Sequence, residues 1–476
     1  MTSRLLTPDI CIIGAGSGGL SVAAAAAAFG VEVVLIEKGR MGGDCLNYGC
    51  VPSKSLIAVA ALAHDARSGR ALGLNAGEPV LDYGLTHAHI HDVIATIAPH
   101  DSVERFEALG VTVLQDHARF VDERTVEAGE VRVRARRFVI ATGSSPAVPP
   151  IPGLDTVGSL TNETIFDLKT RPDHLIIIGG GPIGIELAQA YRRLGAQVSV
   201  VEAATVLARE DREAAAVVRA ALRDEGVALH EATKVVRVET DEAGIAVIVE
   251  AQEGEGRLSG SHLLVAVGRT ANTESLGLDV AGIDHDKRGI QVDQAMRTSN
   301  RRVYAIGDVA GGLQFTHAAN YHAGLVVRAI LFRLPIRNRP VLVPRVTYSD
   351  PELAHVGLSE AEARESHGDS LKVLRAPFAE NDRARAEART EGFVKLVADR
   401  RGRILGATIV GDRAGELIGL WSLAVSRRLK VSAIAGLVLP YPTLSEAGKR
   451  AAVSFYTDSL DNPWVRRLVR FLRIFG

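Results

Sequence analysis

Short apolar runs that end at glycines divide the first half of the chain. The first run, Ile10–Ile13, is typical of a strand buried on both faces of a parallel sheet. It leads into the pattern Gly-x-Gly-x-x-Gly at residues 14–19, which opens an alanine-rich helical segment through Ala28. A second apolar run, Val31 to Ile36, ends at Glu37, eighteen residues after the last of these glycines. This order of strand, glycine loop, helix, strand and acid predicts a βαβ unit that binds a dinucleotide.

The same succession occurs a second time. The apolar run Leu175–Ile178 precedes glycines at 179–184, a helix through Leu194, the strand Gln197–Val201 and the acid Glu202. Two such units predict two bound dinucleotides, and hydride transfer between them is the natural inference. The glycines that would approach the pyrophosphates are Gly14, Gly16, Gly19, Gly179, Gly181 and Gly184.

The acid of the second unit bears on which nicotinamide cofactor is used. A carboxylate at the strand end suits a free ribose 2′-hydroxyl and repels a 2′-phosphate, so Glu202 favours NADH over NADPH. Arg209 and Arg212 follow closely and could soften this preference.

The remaining pattern predicts helices over 57–110, with a turn near 73–79, and then strands at Val111–Leu114, Ala118–Val121 and Val131–Arg137. Four prolines between 146 and 152 mark a boundary. From Val343 onwards, alternating strands and a helix over Gly415–Ser426 predict a separate α+β unit. The fold class is therefore α/β, with two Rossmann-like domains and a C-terminal α+β domain.

Composition narrows the class of protein without identifying a substrate. The chain has 476 residues, enough for about three domains, and its formal net charge of −1 gives no overall attraction to nucleic acid. Only three cysteines occur, which argues against a disulfide-stapled secreted protein. The N-terminus predicts no signal peptide, and no apolar run of about 18 residues occurs, so we expect a cytoplasmic protein.

The chemically most informative stretch is GGDCLNYGCVPSK, residues 42–54. Cys45 and Cys50 are spaced so that their sulfurs can meet in a small disulfide ring, which would be valuable for opening and closing rather than for stability. Lys54 follows Cys50 by four residues and shares its face if the segment is helical, where a cation favours the reactive thiolate. The alternative is that the two cysteines are only structural.

This stretch resembles the redox-active motif of the FAD-dependent pyridine nucleotide-disulfide oxidoreductases. Three further segments resemble landmarks of that family: Thr142–Pro146, Gly268–Asn272 and Thr298–Asp308. The resemblance implies a homodimer that uses FAD and NAD(H), with Cys50 as the flavin-side thiol and Cys45 as the exchange thiol. It also implies an FAD domain at 1–149 and 276–340, an NAD(P) domain at 150–275, a dimerisation domain at 341–460 and a tail at 461–476.

The site residues are carried over from the family motif by motif. The predicted catalytic residues are Cys45, Cys50, Lys54, Glu186, Tyr441 and Glu446. The predicted cofactor-binding residues, besides the six glycines above, are Glu37, Lys38, Gly43, Asp44, Lys54, Ala118, Thr142, Gly143, Ser144, Glu186, Glu202, Gly268, Asp308, Gln314, Phe315, Thr316 and His317. By the same resemblance, Lys54 and Glu186 form an ion pair beside the flavin; the alternative is two unrelated surface charges.

The chain departs from its family at the base that assists thiol exchange. Dihydrolipoamide dehydrogenase and glutathione reductase have a histidine there, whereas this sequence has Tyr441, followed by the expected Glu446. A phenol with a pKa near 10 is a poor base at neutral pH. Mercuric reductase has a tyrosine at this point, but its C-terminal cysteine pair is absent because Cys50 is the last cysteine. Tyr441 could also be an interface aromatic without a chemical role.

Two further features complete the sequence-based picture. The segment 464–475 carries apolar residues on one helical stripe and arginines on another, so it could lie on anionic lipid or pack on its own dimer. His87, His89 and His91 alternate along a predicted helix and point to different faces, so no metal site is predicted. The favoured function is an NADH-dependent flavoprotein disulfide oxidoreductase with a disulfide or dithiol acceptor; the alternatives are metal-ion reduction and membrane-docked electron transfer.

Overall fold

The computed structural model describes residues 4–75, 77–242, 244–252, 254–457 and 463–475. It forms two compact units, the first made of Met1–Ala204 and Val227–Pro340, the second of Thr205–Gly226 and Val341–Gly476. Parallel sheets with crossover helices and an antiparallel sheet with helices confirm the predicted α/β class. The division of the first 340 residues into two nucleotide domains stays a prediction, and the segment 205–226, assigned from sequence to the second of them, lies in the second unit.

The first unit holds most of the strands. Its strands are β1 (Arg4–Leu6), β2 (Ile10–Ile13), β3 (Val33–Glu37), β4 (Thr112–Gln115), β5 (Ala118–Asp122), β6 (Thr125–Ala128), β7 (Val131–Val133), β8 (Arg137–Ile140), β9 (Ser144–Pro146), β10 (His174–Ile178), β11 (Gln197–Val201), β12 (Ala228–His230), β13 (Lys234–Asp241), β14 (Gly244–Ala251), β15 (Gly254–Gly260), β16 (His262–Val265), β17 (Arg269–Ala271), β18 (His285–Asp286), β19 (Gly289–Ile290) and β20 (Val303–Ala305). Its helices are α1 (Ser17–Ala28), α2 (Gly43–Asn47), α3 (Cys50–Ser68), α4 (Tyr83–Ile97), α5 (Val103–Ala108), α6 (Pro182–Arg193) and α8 (Thr316–Phe332).

Two parallel sheets organise this unit. One has the strand order β20-β8-β2-β3-β4, and the other has the order β12-β11-β10-β16. All residues of β2 are buried, as the apolar run predicts, because helices and loops cover both faces of a parallel sheet. Glycines end the central strands β2 and β10, so the chain turns into α1 and α6 at the carboxyl edges, where open α/β sheets bind ligands.

The small β-sheet before the proline-rich boundary differs from its prediction. The segment 131–137, expected as one strand, contains the whole of β7 and the first residue of β8: β7 joins the sheet β1-β7-β6-β5, and β8 begins at Arg137 in the parallel sheet. The strand β6, which precedes β7, was not predicted. The chain leaves one sheet for the other at 134–136, and both flanking segments are apolar enough to hide the break.

The second unit is built on the antiparallel sheet β21-β22-β25-β24-β23. Its elements are α7 (Arg212–Asp224), β21 (Arg345–Thr347), β22 (Glu352–Gly357), α9 (Glu360–His367), β23 (Leu371–Pro377), α10 (Asp382–Ala386), β24 (Phe393–Asp399), β25 (Ile404–Gly411), α11 (Ala414–Ser426), α12 (Val431–Ala435), α13 (Ser445–Ser454) and α14 (Pro463–Leu472). Trp421 of α11 lies in its core, and Gly448 of α13 packs so closely on the indole that a Cβ would lie 2.8 Å from the ring.

Among the described residues, one helical stretch, 43–68, is long and apolar enough to cross a membrane by length and composition. This is weak evidence for a span, because core helices of soluble proteins meet the same criterion. The stretch comprises α2 and α3 and carries both cysteines of the motif.

Candidate active site

The first glycine loop has the geometry of a dinucleotide-binding turn. Gly14 has a φ of +103°, and a Cβ there would lie 2.4 Å from the carbonyl oxygen of Ala141. A Cβ on Gly19 would lie 1.9 Å from the oxygen of Gly14, so only glycine allows α1 to approach β2 this closely. The Glu37 carboxylate accepts from the backbone N–H groups of Ala15 at 2.6 Å and Gly39 at 2.7 Å, which fixes the acid beside the loop.

The second glycine loop repeats this geometry contact by contact. Gly179 has a φ of +113°, and a Cβ on Gly184 would lie 2.1 Å from its carbonyl oxygen. Glu202 accepts from the N–H groups of Gly180 at 2.7 Å and Ala204 at 2.8 Å. The two predicted sites therefore share one geometry, although the segments that follow Glu37 and Glu202 differ.

Both loops fit the pyrophosphate of a dinucleotide. Neither α1 nor α6 has a side-chain cap, so the N–H groups of each first turn are left to an anion. A Cβ built on Gly181 would meet no atom within 4 Å, which leaves open space over the start of α6. The residues present can thus hold two dinucleotides.

The cysteine motif is anchored directly on the first glycine loop. The N–H of Gly42 donates to the carbonyl of Ala15 at 3.0 Å, and Gly42 bridges with Gly16. Gly43 has a φ of +61°, and a Cβ there would lie 2.7 Å from the Cα of Gly16. Backbone touches backbone at this point, so the cysteines that follow are held at the mouth of a nucleotide-binding loop.

The two cysteines lie on different helices. Cys45 is in α2, and Cys50 is the first residue of α3, after a break at Tyr48 and Gly49. Cys45 and Cys50 are both free cysteines in this structure, and a hydrogen bond between their side chains is the first cause of the pKa shift of each.

The surroundings shift the pKa values of these two thiols in opposite directions. The hydrogen bond from Cys45 lowers the pKa of Cys50 to about 6, helped by Thr316 and by the charge of Lys54, against the effect of burial. The same hydrogen bond, followed by burial, raises the pKa of Cys45 far above its ordinary value. The start of α3 also favours an anion at Cys50. These shifts favour a thiolate on Cys50 and a thiol on Cys45.

The predicted ion pair between α3 and α6 is present. Lys54 Nζ lies 2.7 Å from Glu186 Oε2, and the Glu186 side chain is buried. Because Lys54 lies one helical turn after Cys50, this contact holds a cation near the thiolate. Removing the carboxylate would leave the ammonium without this buried partner.

Arg269 was not predicted as a site residue, yet its guanidinium joins several segments of the site. It donates to Ser144 Oγ and to the Ser144 carbonyl, both at 2.7 Å, and lies 3.1 Å from Asp44 Oδ1. Asp44 raises the pKa of both cysteines, so the neighbouring cation offsets an unfavourable charge. Asn162 donates to Asp44 as well, at 3.1 Å.

Asp308 lies at the end of this polar network. Ser144 Oγ donates to its carboxylate at 2.6 Å, and Arg269 Nε lies 3.8 Å away. Burial raises the pKa of Asp308, while the bond from Ser144 and the charge of Arg269 lower it. Thr142 and Asn272 bind each other's backbone, which closes the segment that bears Ser144.

The other predicted cofactor residues fall into three groups. Thr316 begins α8, and its Oγ1 lies 3.4 Å from Cys50 Sγ, a contact with the thiol that the sequence did not reveal. Phe315 and His317 stack on each other with ring centroids 5.2 Å apart, and Gln314 precedes them at the surface. The remaining positions are Gly143 (φ +69°) and Gly268 (φ +136°) in turns, Lys38 at the surface and Ala118 buried in β5.

Tyr441 and Glu446 lie in the second unit. The Tyr441 side chain is 70% exposed, and its hydroxyl donates to Asp382 Oδ2 at 3.0 Å. This bond raises the pKa of Tyr441 further above its ordinary value, so the phenol is a weaker base than a free tyrosine. Glu446 accepts from the N–H of Thr443 at 3.4 Å, at the start of α13.

Two of the three alternating histidines meet after all. His87 and His91 are one turn apart on α4, and their ring centroids lie 4.3 Å from each other. Over the part of the chain that the structure describes, no group of three or more histidine, cysteine, aspartate or glutamate side chains could hold a metal ion.

Comparison with known proteins assigns most of the chain to two family descriptions. Residues 8–323 match "Pyridine nucleotide-disulphide oxidoreductase", and residues 343–452 match "Pyridine nucleotide-disulphide oxidoreductase, dimerisation domain". The first match covers both glycine loops and the cysteine motif, and the second covers Tyr441 and Glu446.

Relatives cover almost the full length. A dihydrolipoyl dehydrogenase of Thermus scotoductus is 37% identical over 473 residues, 95% of this chain and 98% of the relative. A mercuric reductase of Streptomyces lividans is 35% identical over 458 residues, 94% of this chain and 96% of the relative.

Two solved structures are similar in fold and length. The first is LpdA from Mycobacterium tuberculosis, with a TM-score of 0.86, 28% identity and coverage of 95% of this chain and 99% of that one. The second is a Cu(II) complex of the flavoprotein disulfide reductase RclA from Escherichia coli, with a TM-score of 0.81, 30% identity and coverage of 92% and 98%.

Proposed function

Because this chain belongs to the pyridine nucleotide-disulphide oxidoreductase family, we propose that it uses NADH to reduce a Cys45–Cys50 disulfide and passes the electrons to a disulfide or dithiol carrier. Membership makes it an enzyme that uses FAD and NAD(P)H, and it confirms the resemblance noted from the cysteine motif. The dimerisation domain supports a homodimer.

One observation supports this proposal above the others: the backbone of Gly42 and Gly43 rests on the first glycine loop. This contact supports a position of the sulfurs at the entrance of a dinucleotide site. A structural pair of cysteines would need no such anchor, nor a half-buried cation and a buried carboxylate beside it. This contact carries the proposal.

The proposed reaction balances in electrons and protons. NADH gives up a hydride, which is two electrons and one proton, and becomes NAD⁺. The disulfide takes up both electrons and the proton, so the sulfur–sulfur bond breaks to a thiolate on Cys50 and a thiol on Cys45. Bound FAD supplies the two-electron relay between the nicotinamide and the sulfurs. An acceptor disulfide then exchanges with Cys45, takes the electrons and returns the pair to its oxidised form.

The chain's own residues position and charge this system. Gly14, Gly16 and Gly19 would bind the FAD pyrophosphate, and Asp308 would accept from a flavin hydroxyl. Glu202, held by two backbone N–H groups, supports binding of a free 2′-hydroxyl and hence NADH. Lys54 stabilises the thiolate of Cys50.

The test is spectroscopic. Anaerobic reduction of the holoenzyme by one equivalent of NADH should produce a long-wavelength absorption band from the Cys50 thiolate next to the flavin. The band should be absent in Cys50→Ser and retained in Cys11→Ser, a matched control because Cys11 is buried in β2. A band that persists in Cys50→Ser would remove this assignment.

A second candidate function is the reduction of a thiophilic metal ion. Tyr441 favours it, because a phenol that donates to Asp382 is a poor base for lipoamide or glutathione exchange but keeps an oxygen that can bind a ligand. Several relatives are named mercuric reductases. Hg(II)-dependent NAD(P)H oxidation in excess thiol, compared with lipoamide and glutathione disulfide, separates the two candidates.

A third candidate is electron transfer at a membrane, to a quinone or a redox protein. It is favoured by the exposed basic helix α14, and by the absence of the histidine base from the thiol-exchange segment. Quinones belong in the same acceptor assay, and turnover with quinones alone would support this candidate over the other two.

A further inference from the structure

The helix α14 has an exposed apolar face. Every residue from 463 to 475 is exposed, including Trp464 and Phe475 at 75% each. A run of this length with so many large apolar side chains at the surface is unusual for a soluble protein. Such a face needs a partner.

The apolar and charged residues separate around the helix, except that Ile474 falls among the arginines. At about 100° per residue, the apolar side chains occupy an arc of about 160°. They are Trp464, Val465, Leu468, Val469, Phe471, Leu472 and Phe475. The arginines occupy the opposite arc and are Arg466, Arg467, Arg470 and Arg473.

The charge of this segment is of one sign. Residues 463–475 contain four arginines and no aspartate, glutamate or lysine, whereas the whole chain has a formal net charge of −1. The positive charge is therefore a local property. Arg467 lies over the indole of Trp464, with its guanidinium carbon 5.4 Å from the ring centroid, at the edge between the two faces.

We propose that α14 and the turn that follows it, residues 463–475, bind the surface of an anionic lipid bilayer. The apolar arc would enter the boundary between headgroups and acyl chains, and the arginines would contact lipid phosphates. Trp464 lies at the start of the helix, and Phe471 and Phe475 pack edge to face at its end, 5.2 Å between centroids, so aromatic side chains anchor both ends.

Charge decides between a bilayer and a second copy of this chain. A pairing of two such helices through their apolar arcs would leave eight arginines on the outer faces, with no acid from the same segment to offset them. A lipid surface offers a continuous layer of phosphate instead. This inference does not depend on which acceptor the enzyme reduces, although the third candidate function requires it.

The test is co-flotation of the full-length FAD-loaded enzyme with vesicles of phosphatidylcholine alone or mixed with phosphatidylglycerol. Binding is expected only to the anionic vesicles and should fall as salt is added. Arg466→Gln with Arg470→Gln should weaken the partition about 25-fold, because each arginine near an anionic surface contributes about fivefold. Leu468→Asn with Leu472→Asn should abolish binding.

Matched controls carry the same changes elsewhere on the surface. Arg400→Gln with Arg401→Gln removes two exposed arginines, and Val80→Asn with Leu85→Asn replaces two exposed aliphatic residues. Both controls should float like the wild type. The inference is overturned if the wild type ignores anionic vesicles, if the α14 variants bind as well as the controls, or if they change only the oligomeric state in sedimentation.

Discussion

At the residue scale, the hydrogen bond between the two thiols shifts their pKa values in opposite directions. It lowers the pKa of Cys50, which favours a thiolate there, and raises the pKa of Cys45, which favours a thiol. Lys54 and the start of α3 add positive potential, and Arg269 offsets the charge of Asp44. These contacts favour a thiolate on Cys50.

Substitution of Cys45 should therefore change the acidity of Cys50. In Cys45→Ser, a hydroxyl still donates from this position, whereas in Cys45→Ala this donor is lost and Thr316 remains. The midpoint of the pH profile for alkylation of Cys50 should be higher by about 1 to 2 pH units in the alanine variant. For the wild-type thiol, the pKa of about 6 predicts reactivity down to mildly acidic pH. Iodoacetamide rates from pH 5 to 9 provide the measurement.

These two variants control for each other, because both lack the disulfide and differ in a single donor atom. Cys11 does not interfere, since burial raises its pKa and shields it from the reagent. Identical profiles for the serine and alanine variants would show that the hydrogen bond does not set the acidity of Cys50.

Sequence reasoning found the residues of this site that belong to recognisable motifs but not all the contacts that these residues make. The spacing of the cysteines, Lys54 and the glycines revealed them. Thr316 was predicted as a cofactor residue, but its contact with Cys50, 266 positions away, was not predicted, and neither was Asp382, which accepts a hydrogen bond from Tyr441, 59 positions away. A threonine or an aspartate has no spacing signal that could reveal such a partner.

At the element scale, the buried parallel strands were predictable because four or five consecutive apolar residues leave few alternatives. The antiparallel strands were harder to predict. The sequence analysis did not assign β13, β14 and β15, which form a meander. The break between β7 and β8 was also missed, because a change of sheet leaves no mark on hydrophobicity. Topology, not local pattern, decides these cases.

The contact between the cysteine loop and the first glycine loop can be tested at this scale. Gly43→Ala should weaken FAD binding and destabilise the fold by about 1 to 3 kcal/mol, because the new methyl group would lie 2.7 Å from the Cα of Gly16 and φ is positive. FAD titration of the apoprotein and thermal melting report the two effects.

Gly110→Ala is the matched control for that change. Gly110 also has a positive φ, +87°, but a Cβ there would meet no atom within 4 Å. The Gly110→Ala variant should therefore show the destabilisation from backbone strain without a loss of FAD affinity. Equal FAD affinity in both variants would mean that the close approach at Gly43 does not shape the cofactor site.

At the scale of the whole molecule, the chain enters the second unit twice. The segment Thr205–Gly226 joins it from the middle of the sequence, long before Val341 returns. A buried cation holds that segment: Lys395 of β24 is 3% exposed, and its Nζ lies 2.7 Å from Asp211, the N-cap of α7, and 3.1 Å from Glu213. The sequence gives no hint that α7 belongs to this unit.

Lys395→Met should therefore destabilise the protein by about 3 to 5 kcal/mol, because it leaves the buried carboxylate of Asp211 without its ammonium partner. The loss of Lys395 should destabilise the Glu213 carboxylate less. The hydrogen bond from Arg375, which is the first cause that lowers the pKa of Glu213 to about 2, remains in this variant. Lys430→Met makes the same change at an exposed position of the same unit and should shift stability by no more than about 0.5 kcal/mol. Urea unfolding of both variants measures the difference. Equal midpoints would mean that apolar packing of α7, rather than this buried ion pair, fixes the mid-chain segment in the second unit.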